Sequence, residues 1–188
     1  NNVVFGGMGA DTITTGTGID TIFGDNGLAL RNDATVGLNG ATVAGSANWV
    51  QLQSLVPSLG GDDIVTTLAG DKQIVGGFGN DTIRAGAGNH VVGGDNFEVD
   101  FDTAGYNGKA VRFETTDLVA QTGGNDTITL GNGNNVVFAG MGSDSVTTAN
   151  GQDTIFGDNG YLELNTGAAA GTAYVALSSE LYAEILGG

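Results

Sequence analysis

The 188-residue chain has no cysteine, one proline, one histidine and one tryptophan. Without cysteine there are neither disulfides nor thiolate metal sites, so the fold needs another staple, as befits an exported chain. A lone histidine, His90, rules out a zinc-protease helix with its paired ligands. Basic residues number 5 against 21 acidic ones, a net charge of −16, which leaves no basic patch for nucleic-acid phosphates. No apolar run reaches 18 residues, so no membrane-spanning helix is expected. A Gly-x-Ser-x-Gly nucleophile turn is also missing. Scarce proline with abundant Val, Ile and Thr favours ordered strands over a disordered linker.

Glycine is plentiful instead, at 35 residues, without the three-residue period of collagen. It falls in a nonapeptide, clearest at Gly6–Thr14 (GGMGADTIT) and Gly76–Arg84 (GGFGNDTIR). The pattern is a glycine-rich turn, an Asp in the sixth position and an aliphatic residue in the eighth. The chain thus resembles the RTX (haemolysin-type) calcium-binding repeat superfamily of secreted bacterial proteins. The resemblance covers 1–27, 61–96 and 123–160. It implies an all-β, right-handed parallel β-roll, type I secretion, calcium-dependent folding and an extracellular location.

Placing the Asp slot in register defines three modules. The slot holds Asn2, Asp11 and Asp20 in residues 1–27. It holds Asp63, Lys72, Asp81 and His90 in 61–96, and Asp126, Asn135, Asp144 and Asp153 in 123–160. Each module ends in Gly-Asp-Asn, at Gly24–Asn26, Gly94–Asn96 and Gly157–Asn159. Residues 1–27 and 134–160 are identical at 20 of 27 positions, so a longer repeat of 133 residues overlies the nonapeptides. The sequence reads as a window on a longer array, opening inside a unit. Insertions occupy 28–60, 97–122 and 161–188, interrupting what is expected to be one continuous solenoid overall. Apolar and polar residues alternate at Phe97–Phe101 and Val111–Glu114, on either side of polar Asp102–Lys109, which predicts a hairpin. Tyr161–Leu164 with Ala173–Leu177, and Leu28–Arg31 with Trp49–Leu52, predict two more. Ser178–Leu186 reads as a short helix.

Two nonapeptides per coil put successive turns on opposite edges and stack turns 18 residues apart about one strand spacing, ~4.8 Å, from each other. Calcium takes six to eight oxygens at about 2.3–2.6 Å, within reach of carbonyls and carboxylates from two stacked turns. On the first edge, five two-Asp sites are expected: Asp11/Asp25, Asp63/Asp81, Asp81/Asp95, Asp126/Asp144 and Asp144/Asp158, with each Gly-Asp-Asn closing a stack. The second edge pairs Asn2 with Asp20, Lys72 with His90, and Asn135 with Asp153. A lysine ammonium excludes calcium from its pair. The Asn–Asp pairs, with Asp20 and Asp153, offer either weaker calcium sites or a metal-free amide ladder. Asp also favours turns through side-chain to backbone hydrogen bonds, but its fixed slot behind fixed glycines is far more specific than isolated Asp-Gly pairs.

The aliphatic slots, Val4 through Ile155, are expected to face inward. Their neighbours are mostly Thr on one sheet, while Val3, Phe5, Phe23, Val136, Phe138 and Phe156 point outward on the other. Such a patch calls for a cover, either the hairpins or self-association with a neighbouring copy. One buried aliphatic side chain per repeat contributes about 1.5–3 kcal/mol, less than the ordering cost of nine residues, so folding is expected to require calcium. No catalytic constellation appears, and the chain is not expected to be an enzyme. Two functions remain: a calcium-set rod segment of a surface-layer protein, adhesin or filament, or the calcium-binding secretion region of a toxin or hydrolase.

Overall fold

A computed structural model describes residues 1–31, 49–101, 110–117, 122–164 and 174–178. The tips of the expected hairpins, 32–48, 102–109 and 165–173, lie outside these residues. So does the expected helix beyond Ser178, and Ser178 itself ends a strand.

The described elements are all strands. The chain runs through β1 (Val3–Phe5), β2 (Thr12–Thr15) and β3 (Asp20–Phe23). It leaves as β4 (Gly27–Arg31) and returns as β5 (Trp49–Ser54). It resumes through β6 (Ile64–Thr67), β7 (Lys72–Val75), β8 (Thr82–Ala85) and β9 (Val91–Gly93). A second excursion forms β10 (Phe97–Phe101) and β11 (Ala110–Thr115). Then follow β12 (Thr127–Leu130), β13 (Val136–Phe138), β14 (Ser145–Thr147) and β15 (Thr154–Phe156), and last β16 (Gly160–Leu164) and β17 (Tyr174–Ser178).

Repeat strands alternate between two parallel sheets. One has the order β1-β3-β7-β9-β13-β15, the other β14-β12-β8-β6-β2. The aliphatic slots set the register: Val4 opposes Ile22, Ile22 opposes Ile74, Ile83 opposes Ile128, and Val137 opposes Ile155. Their side chains form a one-residue-deep core between the sheets, with Ile22, Val65, Ile83, Val92, Ile128 and Val137 fully buried. Ile155 departs from the expectation. It is in register, but it lies on β15, the terminal strand of its sheet, and is 46% exposed.

The three modules do not form separate stacks. β6 pairs with β2 and β7 with β3 across the first insertion, and β12 pairs with β8 and β13 with β9 across the second. The insertions join one another too. They build a third, antiparallel sheet in the order β17-β16-β11-β10-β5-β4. This sheet lies over the outer face of the sheet that carries the outward phenylalanines. A second core fills the space between: Phe23, Val75 and Phe138 from below, and Leu52, Phe97, Val99, Phe113 and Leu162 from above. Phe138 stacks on Phe156 with ring centroids 4.4 Å apart and meets Phe97 at 5.0 Å. The hairpins therefore cover the patch along most of its length. On β1, Phe5 stacks on Phe23 at 5.1 Å but stays 44% exposed.

Phe138→Ala should cost about 3–5 kcal/mol, the usual range for emptying an aromatic core site. Thr129→Ala, on the exposed face of the opposite sheet, should change stability by less than about 0.5 kcal/mol. Denaturant unfolding in saturating calcium measures both.

Candidate calcium-binding edge

The turn from a strand of the phenylalanine-bearing sheet to one of the other sheet has six positions, as in Gly6–Asp11 and Gly76–Asp81. Where an insertion intervenes, the turn is divided. Gly24 and Asp25 supply its first two positions, and Gly60, Gly61, Asp62 and Asp63 the other four. Gly94 and Asp95 join residues 123–126 in the same way. Backbone bonds fix this alignment: Gly7 N donates to Gly24 O, Asp25 N to Gly76 O, and Gly77 N to Gly94 O. Gly-Asp-Asn is thus the first half of a turn whose second half lies beyond the insertion. The stack is not closed there, contrary to the expectation from sequence.

The division explains the terminal Asp and Asn. Asp25 accepts from Gly61 N (3.2 Å) in the other half of its own turn and from Phe78 N (2.6 Å) in the next turn. Asp95 likewise accepts from Gly124 N (2.9 Å) and from Met141 N. Each carboxylate pins the returning chain and faces forward along the stack, so Asp25 is not aimed back at Asp11. At Gly77 (φ 113°) a Cβ would lie 2.5 Å from Asp25 Oδ2. The position needs glycine both for its backbone angle and for the carboxylate beside it. Asn96 Nδ2 donates to Thr122 O (3.2 Å) and to Asp117, and Asn26 Nδ2 donates to Leu59 O (3.3 Å). The asparagines tie the bases of the excursions.

The Asp slots form one unbroken column: Asp11, Asp63, Asp81, Asp126, Asp144. In each of the last four, Oδ1 accepts the backbone N–H of the preceding slot, at 2.7, 2.7, 2.8 and 2.9 Å. The other oxygen, Oδ2, is buried without a hydrogen-bond partner in all five residues. These oxygens border spaces that only glycine leaves open. A Cβ at Gly24 would fall 2.2 Å from Asp63 Oδ2 and 2.5 Å from Gly76 O. At Gly76 it would fall 2.3 Å from Asp81 Oδ2 and 2.2 Å from Gly94 O, and at Gly94 2.2 Å from both Asp126 Oδ2 and Ala139 O. Carboxylate and carbonyl oxygens therefore converge, turn after turn, on the same edge. This is the donor chemistry of a hard divalent cation, and calcium fits it. Among the described residues no three His, Cys, Asp or Glu side chains group as a side-chain-only cage. Ligation here would draw on one carboxylate per turn and on backbone carbonyls. Asp63 stacks with Asp81 and Asp126 with Asp144 as expected, but Asp11 stacks on Asp63 and Asp81 also on Asp126. Asp25 and Asp95 keep both oxygens on backbone N–H groups, and Asp158 stands exposed in the last turn.

Electrostatics separate the two edges. Burial, reinforced by neighbouring carboxylates, pushes Asp81 and Asp95 up to about 9, Asp25 and Asp126 to about 7 and Asp63 to about 6, and raises Asp144. On the second edge, burial would raise Asp20, but hydrogen bonds from Lys72, Thr15 and Asn2 hold it below the usual carboxylate value. Asp153 is also lowered, because bonds from Asn135 and Thr148 outweigh its burial. The second edge is a ladder: Asn2 N and Nδ2 donate to Asp20 Oδ1, and Asn135 N and Nδ2 to Asp153 Oδ1. His90 Nε2 donates to Gly86 O (2.8 Å), a structural contact, and burial lowers its pKa.

A second, exposed ladder was missed in the sequence. The residue before the Asp slot accepts from its neighbour one turn along, as in Asn80 N to Asp62, Asn125 N to Asn80 and Ser143 N to Asn125. Asn134 N to Asn89 continues the pattern on the other edge. Its signal was the recurrence of Asn or Asp one place ahead of the slot.

The family model for the RTX calcium-binding nonapeptide repeat matches four times, at residues 1–27, 59–92, 122–146 and 142–161, together more than half the chain. The chain belongs to this family. Searches of curated proteins and of solved structures return no match. As RTX repeats, these segments form a calcium-binding region of the kind typical of secreted proteins.

Carboxylates whose pKa is raised in the fold oppose folding when ionised. Without metal, the fold should be most favoured near pH 4, and the penalty should grow as pH rises toward about 9. In chelator, circular dichroism should show more folded protein on acidification from pH 9 to pH 5. Calcium affinity should fall over the same range, as protons compete for the same oxygens.

Proposed function

We propose that the chain is a calcium-set rod segment of a secreted surface protein, adhesin or extracellular filament, folding on calcium outside the cell. The observation that carries the reading is the column of five buried, unpartnered Asp Oδ2 atoms along one edge. Each is a carboxylate oxygen taken from water without a partner, where a negative charge is costly unless a cation arrives. Calcium occupies the first edge, while the second holds together through its own donors. The two parallel sheets wind as a right-handed β-roll, and the hairpin sheet clamps it along its length. Rod-like function follows from continuity. Two insertions interrupt the sequence without interrupting the stack, and each adds strands to one shared outer sheet. Such an architecture extends by adding units, as repeat proteins do. Type I export suits it, because a chain that folds only in external calcium stays threadable inside.

The test is calcium titration of the 188-residue chain followed by circular dichroism. At neutral to alkaline pH, chelator should abolish the β signal and millimolar calcium restore it; an unchanged folded spectrum in chelator there would sink the reading. Asp81→Asn, in the middle of the column, should remove calcium ions from the bound count and weaken the remainder. Asp153→Asn on the second edge should leave the count unchanged.

A further inference from the structure

Lys72 occupies an Asp slot, yet it is 1% exposed, among the largest fully buried side chains of the fold. Its ammonium reaches back into the preceding turn of the second edge. There it donates to Gly18 O at 2.5 Å, to Gly16 O at 3.2 Å and to Asp20 Oδ2 at 2.9 Å. Two turn carbonyls and one slot carboxylate surround a single positive charge. The first edge offers the same kind of donor set, slot carboxylate and turn carbonyls, but there one oxygen of each carboxylate, Oδ2, lacks a partner. Among the described residues, Asp20 is the only slot Asp that accepts bonds at both oxygens from side-chain donors on two neighbouring turns, Asn2 at Oδ1 and Lys72 at Oδ2, with Thr15 as a third.

We infer that Lys72 is a tethered cation that takes the place of a calcium ion in the Asp20 turn, making this level of the second edge independent of metal. The observations fit a substitution of cation and not merely an ion pair. A salt bridge needs only the carboxylate, whereas Lys72 also gathers the carbonyls of Gly16 and Gly18 from the same turn. Its place in the stack matters as well. Lys72 belongs to the first coil after the 28–60 excursion, where β7 must dock onto β3 across a long gap in sequence. A covalently attached cation forms that junction without waiting for a free ion. The next two slots differ, each giving a side-chain donor to a carbonyl of its own turn: His90 to Gly86 O and Asn135 to Gly133 O.

The inference rests on the calcium reading of the first edge, and the experiment separates the two. Calcium binding is counted by isothermal titration for the wild-type chain and for Lys72→Asp, with circular dichroism reporting folding. Loss of calcium binding by the wild type would refute the calcium reading. The inference about Lys72 is judged on the difference: Lys72→Asp should bind one calcium more than wild type. An equal count in two folded proteins would overturn it, leaving a plain salt bridge. Should Lys72→Asp fail to fold even in calcium, Lys72→Met removes the charge and keeps the stem. It should unfold at lower denaturant than wild type in low calcium, and high calcium should close that gap by filling the vacated turn. A gap that calcium does not narrow would overturn the inference.

Discussion

The division of labour within the first-edge slot carboxylates from Asp63 to Asp144 governs this structure. Oδ1 takes the backbone N–H of the turn before it, and Oδ2 is left without a donor. The first bond sets the stacking distance and register. The second oxygen makes the stack incomplete without a cation. A residue with only one acceptor could do the first task, as Asn135 does toward His90 N. It could not also supply a buried negative charge. The glycines serve the same arrangement, since any Cβ at Gly24, Gly76 or Gly94 would fall within the oxygen-lined space. The aliphatic core, one residue deep, tolerates little error in register, so the fidelity of the carboxylate column underlies the packing of the whole coil.

Most of the coil was legible in the sequence. The fixed offset from Asp to the aliphatic slot placed the core, and the period of 18 placed the stacked pairs within each module. The alternation at Phe97–Phe101 and Val111–Glu114 located β10 and β11 to within a residue or so. What was not legible is how modules join. Pairing across 28–60 depends on proximity in space, and periodicity ends at the insertion. Yet a trace was there. Gly24-Asp25 and Gly60–Asp63 add up to one turn of six, so the excursion is spliced between the second and third positions of an otherwise ordinary repeat. Read that way, Gly-Asp-Asn is an opening half and not a terminator, and Asp11 must stack on Asp63.

The hairpin sheet was the larger omission. Each hairpin could be read locally, but their pairing with one another, β5 with β10 and β11 with β16, rests on backbone edges that no side-chain pattern specifies. Regular spacing of the excursions supplies the reason. Each leaves the coil from the same turn position on the same sheet, two coils after the last, so the hairpins emerge side by side and their edges meet. Edge strands left open would invite aggregation; paired, they form a lid over the outward phenylalanines.

That lid changes the energetic argument for calcium. Counting one buried aliphatic residue per repeat leaves the fold short of its ordering cost. The second core adds Phe23, Phe97, Phe113 and Phe138, aromatic side chains that bury large apolar areas. The hydrophobic shortfall is therefore smaller than the nonapeptide alone implies, and the need for a cation falls on electrostatics. Repulsion is concentrated where Asp25, Asp63, Asp81, Asp95 and Asp126 crowd one edge, and burial there raises every one of them. The opposite edge, with Lys72 bonded to Asp20, carries no such load. On the proposed reading, calcium acts chiefly as the counter-charge of one edge, and the hydrophobic layers decide what shape that edge is held in once its charge is met.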